Sequence, residues 1–101
     1  MNPLSCRDRL EQALARIADP AGEGARACLT VYARPARAAA DAADARAADG
    51  VSLGPLDGTI VSIKDLFDVA GEPTRAGSKI LAEEAQPAAA DAPVVRRLRA
   101  A

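Results

Sequence analysis

Residues Thr59-Ile60-Val61-Ser62-Ile63 are the one convincing strand in this sequence, and they set a demand that the rest of the chain does not meet. Apolar side chains fall on both sides of the pleat, the pattern of a parallel strand buried between two layers. Such a strand needs hydrogen-bonded neighbours, because a lone pair of strands is at best marginal in water. Elsewhere the sequence reads as helix and turn. The expected fold class is therefore α/β, with this chain the opening segment of a larger domain and incomplete alone. Residues 1–50 are its helical half, and residues 51–101 a strand, a turn-rich loop and a helix.

The helical half is legible from periodicity. Leu10, Leu14 and Ile17 recur at helical spacing with Ala13 beside them, which predicts a helix from Leu4 to Ala18. Ser5 followed by Asp8 resembles a capping box with Asp in place of the preferred Glu. Asp19-Pro20-Ala21-Gly22 breaks that helix, and the short β-prone stretch Ala27–Tyr32 has no clear assignment. A second helix is expected from Arg34 to Asp49, with Pro35 in its first turn and Gly50 just past its end. Nine residues between Pro35 and Gly50 are alanine, so helix propensity is high while the apolar face is thin. In the second half, Leu53–Gly58 and Gly71-Glu72-Pro73 read as turns, and Asp91 is expected to N-cap a helix through Pro93, Val94, Val95 and Leu98.

Composition limits both stability and partners. Hydrophobic residues make up 50% of the 101, but 26 of them are alanines and only 24 are larger. An alanine buries a single methyl group, so the isolated chain is expected to be marginally stable or partly folded. Thirteen basic and fourteen acidic residues are interspersed, which gives no footprint for nucleic acid or an anionic membrane. Arg96, Arg97 and Arg99 read as a solvated helix face. Cys6 and Cys28 stand apart and there is no histidine, so no metal site and no cofactor are expected. The two cysteines read as small apolar residues in a reducing compartment. Neither a signal peptide nor a membrane span is apparent, and the expected location is the cytoplasm.

Lys64 closes the strand and is one of only two lysines, the other basic residues being arginines. Two readings are open to it. Its stem can lie along the sheet while the ammonium reaches water or pairs with Asp65 or Asp68. Alternatively, desolvation disfavours the charged form and frees the amine to act as a general base. The second reading has the side chain buried, where the neutral amine is favoured. Asp65 and Asp68 themselves are expected to be partners or caps, and Gly54, Gly58, Gly71 and Gly77 to be positions of special backbone geometry.

The surrounding residues favour the second reading. Residues 54–81, GPLDGTIVSIKDLFDVAGEPTRAGSKIL, resemble the N-terminal block of the amidase-signature family: a Gly-Pro-Leu-x-Gly turn, an apolar strand, Lys-Asp, a Val-Ala-Gly-x-Pro-Thr turn and an Ala-Gly-Ser segment. The resemblance continues from Asp91 to Ala101 and reaches back over residues 36–50. It implies an α/β amidase fold and amide hydrolysis by a Ser–Ser–Lys mechanism in the cytoplasm, with a small-molecule amide as substrate. It also implies Lys64 as the catalytic lysine, facing the core of the complete enzyme with its amine hydrogen-bonded to a serine and not to an Asp. Both family serines belong to a later Gly/Ser-rich segment, and neither Ser62 nor Ser78 matches that motif. The fragment is expected to be inactive alone. The alternatives are a non-catalytic binding or structural piece, or a chain without function. Substrate, oligomeric state, and the choice between a simple amidase and a glutaminase subunit of an amidotransferase stay open.

Overall fold

The computed structural model describes residues 4–101. The chain divides into two compact units, one running to Ile60 and the other from Val61 to Ala101. Among the described residues there is no strand, only a single parallel bridge between Ala70 and Ala88. The expected buried strand is not formed among the described residues, which are helical, so the α/β class is not confirmed by them. Residues 59–63 are exposed and make no strand pairing, with Ile60 at 45%, Val61 at 52% and Ile63 at 37% exposure. The physical reason is a lack of partners, since a ladder takes its hydrogen bonds from a neighbour and none of the described residues supplies an extended one. Among the described residues no helix is long and apolar enough to cross a membrane.

The first unit is a pair of helices with a short connector. Helix α1 spans Cys6–Ala18, α2 Gly24–Ala27 and α3 Ala33–Ala48. Every early N–H of α1 has an acceptor, as a helix start requires. Ser5 Oγ accepts from the Asp8 N–H at 3.0 Å, while Asp44, reaching over from α3, accepts from Cys6 at 2.7 Å and Arg7 at 3.0 Å. Those two backbone donors, Arg7 first, hold the Asp44 carboxyl below its usual range. Leu10, Ala40 and Ala43 are the buried residues between α1 and α3. Small side chains on α3 let the two helices approach closely, which is the use to which the alanine-rich sequence is put.

Helix α3 ends as Gly50 predicts. The Gly50 N–H donates to Ala47 O at 3.1 Å and the Val51 N–H to Arg46 O at 2.8 Å, with Gly50 at φ 71°. This is the Schellman arrangement, and the left-handed residue in it is the one glycine adopts without penalty. The following loop folds back on α3 through Asp57, whose carboxylate is gripped by Arg46 at 2.6 and 3.1 Å. Gly58 lies at φ 84°, and a Cβ there would come within 2.7 Å of Cys6 Sγ, so a side chain at this position would force that thiol to move.

Two results are expected of this unit. Asp44→Ala leaves two helix-start donors without acceptors, so it should lower helical ellipticity more than Asp41→Ala, which removes a single exposed ion pair with Arg7. Equal losses would show that the cap is not what holds α1. The second result concerns acid. Arg37 and then Arg7 bond Glu11 and hold its carboxyl down from 4.5 to about 2. A depressed folded pKa gives stability that is present above the unfolded value and lost as the pH falls through the folded one. Helical ellipticity should therefore decline between about pH 4.5 and 2. Glu11→Gln should start lower and flatten that decline.

The second unit is mostly turns tied together by backbone hydrogen bonds, with α4 spanning Lys79–Glu84 and α5 Pro93–Ala100. Val95, at 1% exposure, is its buried residue. Ser78 caps α4 by accepting the Leu81 N–H at 3.3 Å. Asp91 does not cap α5 as expected. Ala92 holds the cap position without a side-chain bond, while Asp91 accepts the Ala70 N–H at 2.8 Å and pairs with Arg99 Nε at 2.8 Å. A carboxylate offered both a backbone donor and a guanidinium is better satisfied than at a cap.

Candidate active site

Lys64 begins a tight turn in the second unit, its carbonyl accepting the Phe67 N–H at 3.1 Å. The lysine is exposed, and its amine makes no hydrogen bond or ion pair with the described residues. The expectation that it faces a core and meets a serine belongs to the complete enzyme, and among the described residues no serine is bonded to it. Ser62 is exposed in the unpaired stretch before the lysine, and Ser78 is occupied as the cap of α4. Neither is hydrogen-bonded to Lys64.

The two neighbouring acids are spent elsewhere. Asp65 is half-buried, and its Oδ1 accepts the Arg75 N–H at 3.0 Å. The Asp65 main-chain carbonyl accepts the next N–H, from Ala76, at 2.8 Å. Asp68 Oδ1 accepts the Thr74 hydroxyl at 2.5 Å, and the Asp68 carbonyl accepts the Ala92 N–H at 2.8 Å. Residues 65–68 are thus laced to 74–76 around the Gly71-Glu72-Pro73 turn, and Ala76 is held at φ 50°. A non-glycine residue in that region needs surroundings that enforce it, and the two adjacent bonds at Arg75 and Ala76 provide them. Both acids therefore act as the partners and caps anticipated for them, but toward the turn and not toward Lys64.

The Amidase family model matches residues 8–101 of this chain. The chain belongs to the amidase family. This amidase segment is 50% identical over 98 residues to a glutamyl-tRNA(Gln) amidotransferase subunit from Anaeromyxobacter dehalogenans (strain 2CP-C), covering 97% of this chain and 19% of that protein. It is 49% identical over 98 residues to AtzE, a 1-carboxybiuret hydrolase subunit from Pseudomonas sp. (strain ADP), covering 96% of this chain and 21% of that one. A solved structure, an inhibitor-bound vestigial protein complex bearing on the origins of an s-triazine catabolic enzyme, superposes with a TM-score of 0.82. That match has 45% identity over 97% of this chain and 21% of the other. The amidase segment therefore spans about a fifth of the length of these relatives.

The donors at Thr74, Arg75 and Ala76 were not legible in the sequence. Two of the three are backbone N–H groups, which every residue but proline carries, so no residue type marks them.

Proposed function

We propose that this segment supplies Lys64 as the general base of an amide-hydrolysing site whose serines lie in other parts of an amidase domain. The observation that carries the reading is the state of Lys64. It sits at the Lys-Asp position of the family block with its amine unpaired, although an acid follows it directly and another lies four residues on. A salt bridge to either acid would stabilise the ammonium and defeat a base. In this reading the amine takes a proton through a bridging serine and so activates a nucleophilic serine. Attack on the amide forms an acyl-enzyme and releases ammonia or an amine, and water then frees the acid. Thr59–Ile63 acts as a strand once the rest of the domain supplies neighbours, which matches its exposed apolar residues on both sides.

The substrate class is a carboxamide or a related acylated nitrogen, in keeping with relatives named as subunits of an amidotransferase and of a carboxybiuret hydrolase. Ammonia release from a panel of primary amides, including glutamine and biuret derivatives, tests the reading in a full-length amidase carrying residues 1–101. Activity that survives Lys64→Ala would remove it. A second reading, a non-catalytic piece that docks on another chain, draws on the exposed Leu66, Phe67, Ile80 and Leu81. It is favoured if the full-length protein shows no turnover while these residues become protected by a bound partner.

A further inference from the structure

We propose that Asp65 is a positioning residue for Lys64, acting as a clamp on the Arg75 N–H and not as an acid, base or charge partner. This rests on the reading of Lys64 as the base. The geometry is a double tie at the residue that follows the lysine. Asp65 Oδ1 takes the Arg75 N–H at 3.0 Å and Asp65 O takes the Ala76 N–H at 2.8 Å, so one residue grips two successive amides of the opposing segment. Lys64 O is itself held by the Phe67 N–H at 3.1 Å. The backbone on the C-terminal side of the lysine is thereby fixed at three points, and with it the direction in which the side chain leaves.

The carboxylate is used on one oxygen only. Asp65 Oδ2 is buried and has no hydrogen-bond partner among the described residues. A buried charged oxygen without a donor is costly, whereas a neutral amide of the same shape keeps the one acceptor that the clamp needs. The clamp therefore requires the shape and acceptor of Asp65 but not its charge. An acid catalyst or a charge partner would require the reverse.

The test compares Asp65→Ala, Asp65→Asn and Lys64→Ala in the full-length amidase carrying residues 1–101. Asp65→Ala should lower kcat about 10- to 100-fold with KM unchanged, the scale on which a small misplacement of a catalytic group acts. Asp65→Asn should stay within about threefold of the parent. Hydrogen–deuterium exchange of a peptide covering residues 73–78 should quicken in Asp65→Ala and not in Asp65→Asn. The inference is overturned if Asp65→Asn loses as much kcat as Asp65→Ala is predicted to lose, and this outcome can be read even if the alanine variant fails to fold. It is also overturned if Asp65→Ala raises KM and spares kcat, or leaves the exchange unchanged. Lys64→Ala separates the two readings. Turnover that survives in this variant removes the base itself, whereas turnover lost there and kept in Asp65→Ala removes the positioning role alone.

Discussion

Replacing Lys64 by arginine in a full-length amidase carrying this segment should cost nearly as much turnover as replacing it by alanine, on the order of 10²–10⁴-fold. The two substitutions probe different properties. Alanine removes the amine altogether. Arginine keeps length, positive charge and hydrogen-bond donors, but a guanidinium holds its proton at any working pH and cannot accept another. A lysine that only placed a positive charge near the substrate would be replaced by arginine with little loss. The structure excludes one other origin for such a loss. No ion pair joins Lys64 to Asp65 or Asp68, so a loss in either variant does not come from breaking a salt bridge with them. Steady-state turnover of both variants on a primary amide, with circular dichroism to confirm folding, makes the measurement. An arginine variant with most of the parent's activity would turn Lys64 into a positioning charge.

Helices α1, α3 and α5 were legible in the sequence because their signals are local. Leu10, Leu14 and Ile17 recur at helical spacing, Ser5 caps α1, and Gly50 closes α3 with the hydrogen bonds its position foretells. The strand was legible as a need, but the need goes unmet. Ile60, Val61 and Ile63 carry the pattern of a buried strand, and none of the described residues buries them. Helix α4 was missed even though its Ser78 cap is visible in the sequence, because six residues hold too few apolar positions to show a period. Asp91 misled for a different reason. Its type and place fit an N-cap, yet the Ala70 N–H and Arg99 offered it a better pair of partners, and neither is local. The site divides in the same way. Lys64 is marked by its own side chain and by the block around it, whereas the clamp at Arg75 is made by a backbone group that residue type does not reveal.

Residues 1–101 purified alone should release no ammonia from simple amides above buffer and should show no sharp thermal transition. The first half follows from the site. Ser78 is committed to α4 and Ser62 is not bonded to Lys64, so among the described residues the base has no nucleophile to activate. Groups that work as one catalytic unit keep almost nothing when separated. The second half follows from packing. Leu10, Ala40, Ala43 and Val95 are the buried apolar residues described, and two of those four contribute a single methyl group each. Meanwhile Leu66, Phe67, Ile80, Leu81 and Val94 stand more than 40% exposed. Cooperative unfolding requires a core that is lost all at once, and a set of residues this small cannot supply one. Helical circular dichroism should persist and fade gradually on heating, because the alanine-rich α3 favours helix without tertiary support. The measurements are an ammonia assay against Lys64→Ala and a melt followed at several protein concentrations. Turnover that vanishes in Lys64→Ala would reveal a nucleophile within the segment and return Ser62 to consideration. A sharp melt independent of concentration would show that these residues form a sufficient core by themselves, while one that sharpens with concentration would show that a second copy covers the exposed apolar residues.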